Sequence, residues 1–583
     1  MHVPMLHSTL VAGKRPLRLF NLLWLVVFTV LMSSCFTSAV KRSRKMSDKA
    51  WDVLLKVERR QTDRSKIESC KANFTKAIRL DQTNGDAYEG MARVLCFLDD
   101  HEKAITYFDM AIGYNLQSTS CFNGRANCKK DVGRIKEAID DYLTAKNLSP
   151  KDHIVHYNLG LLYDDQKEYD KAIKSFNNAL KYNPDYLKAY YSRAGTFKNM
   201  GVYDLAMDDI KTLLAKDPTY VDAYHEKAMI LQAQLKYKES LEPLNKALEL
   251  DKTCGYCYYA RGYAYQHLDQ NREALEDYLK YKNLSPTNSD VYTAIGLMYY
   301  RLDEKVKALE NYNLSLKLND KNYYSYHNRA LLYQGQNRYN EAEDDFIKSI
   351  ELDSTRSGVY NDYALNFHNQ EKYGKAMKLY KKALALDSTN TLALNNLAIC
   401  ERDSGLFLPA IEKFKKVTRL DTSSCNAFQQ IAWCLRQIKQ NELAVKYYDT
   451  ALAKCPNNLE YLRGRGFTLW KLKRYKESES DYNLCVKLDS AYADGYNNRG
   501  ILYLDMKEYE KASKDFLVSI RLEPDGIYQY NNLANCYFYL KQMDKACEYW
   551  KKALAKGYKY QPEWKEEYGI DDPLELVKKY CSQ

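Results

Sequence analysis

The signatures of common catalytic chemistry are missing from this 583-residue chain. It has no HExxH helix, no P-loop, no GxGxxG turn after a strand and no GxSxG elbow. Histidine is scarce, with nine scattered residues. No Lys/Arg-rich block interleaved with aromatics occurs in the body of the chain, which argues against nucleic acid as a partner. The formal charge of +11 is a modest excess at this length and reads as a solvated exterior. The longest apolar run near the N-terminus, Leu19–Met32, is short for a membrane span, which needs about 20 apolar residues. These absences point to a protein without a cofactor, a metal or an enzymatic activity.

What is present is a period. Residues 153–186 hold two amphipathic patterns back to back. His156, Gly160 and Tyr163 share one helical face, and Ala172, Phe176 and Ala179 share a second. Lys167–Glu168 breaks the two patterns, and Asn183–Pro184 stops the second, since proline has no N–H to donate. The unit is a helix–turn–helix hairpin of 34 residues. Its second-helix small residue recurs at 14 positions from Ala104 to Ala546, each 34 apart; Ser240 and Ser478 replace alanine twice. A glycine or alanine sits twelve residues before each one, as at Ala92, Gly160 and Gly500. Such a period, held without slippage, specifies a repeat architecture. One hairpin cannot bury its apolar face alone, whereas a stack can.

Numbering each repeat 1–34 from Gly85, position 4 is aromatic in 11 of 14 repeats and position 24 in 12 of 14. Pro150, Pro184, Pro218, Pro286, Pro456 and Pro524 occupy position 32. The pattern resembles the tetratricopeptide repeat (TPR) family over residues 85–560. That resemblance implies an all-α fold, a right-handed TPR superhelix (α-solenoid) of about fourteen helix–turn–helix repeats plus capping helices. It also implies that the first helices line a concave face that binds protein.

The ends differ from the repeats. Lys14, Arg15 and Arg18 precede the apolar run, and Ser33–Ser34–Cys35 follows it, the layout of an export signal over residues 1–34. The Ser33–Cys35 end resembles a bacterial lipobox, although Met32 stands in place of the usual leucine. The resemblance implies lipidation at Cys35 and a location in the cell envelope. The basic stretch 35–46 after it, with Lys41, Arg42, Arg44 and Lys45, resists translocation and keeps an uncleaved anchor open. An ordinary signal peptide and a cytosolic core-like helix are the remaining alternatives. Residues 47–84 read as a worn capping repeat: Phe74, Ala77 and Leu80 keep the second-helix face, while Glu58 and Gln61 are polar where apolar residues belong. Residues 561–583 read as a C-terminal cap, with Trp564 and Tyr568 as covers and a last helix opening at Asp572–Pro573 and ending near Tyr580. The ending LVKKYCSQ resembles secreted TPR proteins of Bacteroidetes-type bacteria.

Most of the fifteen cysteines, including Cys96, Cys400, Cys485, Cys536 and Cys547, fall at helical core positions and read as buried free thiols. Cys254–Cys257 is the only CxxC. It lacks a second ligand pair for zinc and a βαβ setting for redox chemistry, and a local disulfide is the lesser reading. The NxS/T sequons at Asn73, Asn147, Asn283 and Asn313 would carry sugar only in a eukaryotic secretory pathway.

Position 7 is arginine in six repeats, at Arg125, Arg193, Arg261, Arg329, Arg465 and Arg499. Position 23 of those repeats is always aspartate, and of the other eight never. This covariation predicts an ion pair across each hairpin; descent from one duplicated repeat type also explains it.

In the family, positions 2, 5, 6, 9, 12 and 13 face the ligand. Those columns hold Asn123, Asn127, Asn158, Asn328, Asn361, Asn395 and Asn396, and a dense C-terminal group, Asn497, Asn498, Asn531, Asn532 and Asn535. Asparagine both donates and accepts, so it suits the main chain of an extended peptide. The columns resemble the asparagine ladder of O-GlcNAc transferases, with interruptions at His225–Glu226 and Thr293–Ala294; asparagine as plain polar filler is the alternative. Asn123, Asn127, Asn158, Lys188 and Ser192 also match part of the carboxylate clamp of chaperone-binding TPRs. Tyr191, Tyr259, Tyr263 and Tyr324 offer faces for stacking on peptide or sugar rings. The expected function is a non-catalytic scaffold for a protein or peptide partner. The alternatives are an envelope or glycan-associated assembly factor, and a cytosolic co-chaperone if the export signal is false.

Overall fold

The computed structural model describes the backbone of residues 16–58, 64–114, 116–561 and 571–581, with side chains from residue 33 onward except 57–64. Among the described residues there are 31 helices and no strand. Two compact units, Met1–Pro286 and Thr287–Gln583, divide the chain. In each unit, every helix packs on the next in sequence, and hairpin stacks on hairpin.

The hairpin read at residues 153–186 is built as helix A, His153–Asp165, and helix B, Tyr169–Tyr182. Asp152 caps helix A by accepting the Ile154 N–H at 2.9 Å, which satisfies one otherwise unpaired donor. The helix ends where Lys167 turns to φ +60° and the Glu168 N–H reaches back to the Tyr163 carbonyl at 2.8 Å. The same left-handed residue stands at position 15 of every repeat, from Asp99 to Lys541. Glycine fills it only at Gly133, Gly201 and Gly405. At the loop into the following repeat, aspartates at position 31 fold the chain back: Asp217 accepts the Thr219 N–H at 2.9 Å, and Asp353 the Thr355 N–H at 3.0 Å.

Small residues set the helix spacing. A Cβ at Gly160 would lie 2.7 Å from the Phe176 ring of its own helix B. One at Gly124 would lie 2.5 Å from Phe108 of the preceding repeat. The position-24 side chain thus plugs both its own hairpin and the joint to the next. The largest fully buried side chains, from Phe108 through Tyr482 to Trp550, all occupy that column, with Phe74 as its equivalent in the N-terminal cap.

The six expected ion pairs form. Each arginine meets its aspartate through two parallel hydrogen bonds, as in Arg125 to Asp141 at 2.8 and 2.6 Å and Arg499 to Asp515 at 2.7 and 2.8 Å. A third bond, from Nη1, reaches position 25 of the preceding repeat: Arg125 to Asp109 at 2.6 Å, Arg261 to Asn245 at 2.7 Å, Arg465 to Asp449 at 2.7 Å. Each arginine therefore ties two hairpins together, a contact the covariation of positions 7 and 23 does not include.

The thiol expectation needs correction. Cys96 and Cys547 are not free: the structure pairs Cys96–Cys128, Cys254–Cys257, Cys425–Cys455 and Cys547–Cys581, with Cα separations of 6.7, 5.3, 6.3 and 5.6 Å. The CxxC closes locally. Cys400, Cys485 and Cys536 are free and buried as expected, as are Cys70, Cys121 and Cys434. Burial pushes the Cys400, Cys485 and Cys536 thiols up to about 12, which leaves them unreactive.

A single helix, Pro16–Glu58, covers the end of the export-type stretch and all of the basic stretch 35–46. Ser43, Ser47, Ala50 and Leu54 form its buried face against the helix Arg64–Leu80. Ser43 Oγ donates to the Ala77 carbonyl at 2.8 Å. Cys35 is exposed. Among the described residues no helix is long and apolar enough to cross a membrane. At the other end, Asp572 caps the helix Pro573–Tyr580 through the Leu574 N–H at 2.9 Å, and Cys547–Cys581 fastens it to the last repeat. The expectations for Glu58, Gln61, Trp564 and Tyr568 lie outside the described side chains.

Candidate functional site

Helices A of neighbouring repeats touch one another within each unit, whereas helices B make no comparable contact. Helices A therefore converge on the inner side of the stack. Residues 35 apart form rows along that side, joining positions 5 and 6 or 12 and 13 of successive repeats. Asn158 Nδ2 donates to Asn123 Oδ1 at 3.0 Å, and Asn396 Nδ2 to Asn361 Oδ1 at 3.0 Å. His327 Nε2 meets Asp362 at 2.8 Å, and His368 Nε2 meets Asp403 at 3.0 Å. The asparagine columns thus share one face, and several of their amides bind each other.

Of the clamp-like set, Asn127 accepts from the Tyr142 hydroxyl and Ser192 pairs with the Tyr157 hydroxyl at 3.2 Å, while Lys188 is exposed. Asn328 and Asn395 are half-buried, and among the described residues no side chain engages their amides.

The C-terminal asparagines gather at a cavity of about 600 Å³ between repeats 12 to 14 and the final helix. That volume falls in the range of small-molecule sites, about 300–1,000 Å³. Asn498, Asn532 and Asn535 line it. Asn535 is oriented by the Trp550 Nε1–H, which donates to its Oδ1 at 2.9 Å. Asn531 lies behind the wall and donates to the hydroxyl of the lining Tyr558 at 3.2 Å. The Oδ1 atoms of Asn497 and Asn531 are buried without a hydrogen-bond partner among the described residues.

Aromatic rings form the walls: Trp470, Tyr509, Tyr528 and Tyr539. Tyr509 and Tyr539 are stacked, with centroids 4.9 Å apart. Tyr528 and Tyr539 are each about half exposed, at 56% and 48%, which places them at the mouth. Asp505, Lys507 and Asp571 supply the charge. The Asp505 carboxylate is held by the Trp470 Nε1–H at 3.1 Å and the Tyr475 hydroxyl at 2.9 Å. That hydrogen bond raises the Tyr475 pKa; burial, with the neighbouring Tyr509 and Asp571, raises that of Tyr539. Leu576 of the final helix closes one side. The charged and aromatic part of this site was not visible in the asparagine columns; the recurrent pair Trp470 and Asp505, 35 residues apart, was its available signal.

Of the tyrosines singled out for stacking, Tyr191 packs against Tyr220 and Tyr259 against Tyr278, while Tyr263 and Tyr324 remain exposed. A possible metal group, Cys96, His101 and Cys128, has ligand atoms within 4.8 Å of one another, but its sulfurs are joined and offer no thiolates.

Residues 153–186, 256–288, 323–356, 357–390, 464–492, 493–525 and 530–555 match tetratricopeptide repeat family profiles. The chain is similar to human Tetratricopeptide repeat protein 6, 29% identical over 132 residues, which is 22% of this chain and 25% of that protein. It is also similar to Anaphase-promoting complex subunit 3 of Schizosaccharomyces pombe, 24% identical over 148 residues, 25% of this chain and 22% of that protein. It thus spans about a quarter of the length of the curated relatives it matches. Among solved structures, the APC/C hetero-tetramer Cut9-Hcn1 is similar at 16% identity, over 85% of this chain and 96% of that chain, with a TM-score of 0.46. A tetratricopeptide repeat protein from Parabacteroides merdae is similar at 18% identity, over 44% of this chain and 99% of that chain, with a TM-score of 0.37. The 34-residue hairpins, their small-residue joints and their plugging aromatics, together with the seven matched segments, make this chain a tetratricopeptide repeat protein.

Proposed function

We propose that this protein is an exported, lipid-anchored scaffold that binds an extended segment or helix of a partner protein along its A-helix face and performs no chemistry itself. The observation that carries the binding role is that face: a pre-formed row of amides, of which Asn328 and Asn395 are half-buried and not engaged by any other described side chain. A free amide on a rigid helix pairs with a peptide main chain without first giving up an internal bond. The relatives fit this reading, since one of them is a subunit of a larger complex.

Export is supported by chemistry independent of the N-terminal pattern. Eight of the fifteen cysteines are placed in disulfides, which persist in oxidising compartments. Cys35, exposed at the end of the export-type stretch, is the attachment point in this reading. Palmitate labelling that depends on Cys35 tests the anchor, and labelling unchanged in Cys35→Ala removes it. For the scaffold role, cross-linking and affinity capture from cell envelopes should identify a partner that the double variant Asn328→Ala, Asn395→Ala loses. An unchanged set of captured proteins would refute use of this face.

A further inference from the structure

The C-terminal cavity carries a second recognition function, separate from the A-helix face used above. We infer that it is a saccharide site that takes an uncharged pyranose unit.

The argument rests on the mixture of groups around one enclosed space. Flat aromatic surfaces at the mouth, Tyr539 stacked on Tyr509 and the exposed Tyr528, present π-faces at the rim of a cavity of about 600 Å³. A pyranose has two such matching features: an apolar C–H face that lies on an aromatic ring, and a rim of hydroxyls that both donate and accept. The lining supplies both kinds of partner. The Asn498 and Asn532 amides donate and accept, the Asp505 and Asp571 carboxylates accept, and the Lys507 ammonium donates.

Other ligand classes fit less well. A purely apolar side chain would desolvate the Asn498 and Asn532 amides without giving them hydrogen-bond partners. An anion would meet two carboxylates. A cation would find those carboxylates, but also Lys507, and Asp505 already accepts two hydrogen bonds. An uncharged polyhydroxylated ring pairs with the lining amides, carboxylates and ammonium without a charge conflict. Asp505, fixed by Trp470 and Tyr475, and Asn535, fixed by Trp550, are already oriented, so little ordering is required on binding.

The test uses the full-length protein with a panel of neutral sugars: maltose, cellobiose, lactose and N,N′-diacetylchitobiose. Saturation-transfer NMR and tryptophan fluorescence report binding, the second through Trp470 in the wall. At least one sugar should bind saturably with a Kd of about 1 mM or tighter. Tyr539→Ala and Asp571→Asn, both at exposed positions, should each weaken it about tenfold while leaving the melting curve unchanged. The inference is overturned if no sugar in the panel binds, if binding is indifferent to both substitutions, or if lysine- or arginine-containing peptides occupy the cavity and displace the sugar. Loss of the protein partner in the Asn328 and Asn395 variants with sugar binding retained would separate this site from the scaffold face.

Discussion

Arg261 holds Asp277 through two parallel hydrogen bonds, Nε to Oδ2 at 2.7 Å and Nη2 to Oδ1 at 2.8 Å. The Asp277 side chain is 3% exposed and the arginine 17%, so the pair is largely removed from water. The guanidinium also lies 5.7 Å from the centre of the Tyr258 ring, and its remaining Nη1 reaches Asn245 of the preceding hairpin at 2.7 Å. One side chain thus sets the angle between two hairpins. Arg261→Ala would strand a buried carboxylate, and a loss of about 3–5 kcal/mol is expected. Arg261→Leu with Asp277→Leu removes both charges and should recover most of that loss. Denaturant unfolding of the two variants checks the difference. Equal destabilisation by both would mean that the arginine acts by packing alone.

Much of this was legible because it recurs. The small-residue joint, the position-24 plug and the Arg–Asp pair all lie within one 34-residue unit, and repetition exposes any relationship inside the unit. The link between units was legible too, but in a different column. Asp109, Asn177, Asn245, Asn313, Asp449 and Asn483 stand at position 25 only before an arginine repeat, and the other eight repeats have leucine, isoleucine or lysine there. Apart from the local Cys254–Cys257 bond, the disulfides were not legible. Cys96 and Cys128 occupy positions 12 and 10 of neighbouring repeats and share no recurrent column with the other pairs. The cavity was only half legible: its asparagines stand in the expected columns, but its closure depends on a final helix outside the period.

The left-handed turn was hidden for another reason. Position 15 needs φ near +60° in every repeat, yet eleven of fourteen repeats use a residue other than glycine. Leu235, at φ +60° and 74% exposed, pays the steric cost of that conformation without burying its side chain. Leu235→Gly should therefore stabilise the protein. The left-handed cost of about 1–2 kcal/mol is offset in part by the extra freedom of glycine in the unfolded chain. A net gain of about 0.5–1 kcal/mol, read from urea unfolding, is expected. Destabilisation would show that the leucine makes a contact worth more than the strain.

His225 makes the first unit sensitive to acid. Burial, followed by the nearby Lys198 ammonium, lowers its pKa from 6.5 to about 4, with Asp222 opposing. The ring stands edge-on to Tyr256 at 4.8 Å, and Lys198 is itself paired with Glu226 at 2.7 Å. A folded-state pKa below the unfolded value means that the unfolded chain binds the proton more tightly. The stabilisation is therefore complete above pH 6.5 and lost as the pH falls toward 4, by up to about 2–3 kcal/mol. Hydrogen-exchange protection factors in the helix Val221–Ala233 should fall as the pH drops through that window. His225→Asn should flatten the dependence, and a profile unchanged by that substitution would assign the effect to other groups.

The Cys547–Cys581 bond couples the last repeat to the helix that closes the cavity. Helix Pro573–Tyr580 has eight residues, too few to persist without support. It packs through Leu576 and Val577 beside Phe538 and Trp550. The bond closes a 34-residue separation, for which chain entropy gives about 3–4 kcal/mol. Because Leu576 lines the cavity, loss of the bond should open that wall rather than unfold the repeats. Cys547→Ser with Cys581→Ser should raise hydrogen exchange in residues 571–581 and in the helix Tyr528–Tyr539, with the first unit unchanged. The same variant should weaken sugar binding, since a loosened wall has to be ordered on each encounter. Retained affinity with increased exchange would place the recognition surface on the repeats alone and make the final helix a cover that takes no part in holding the ligand.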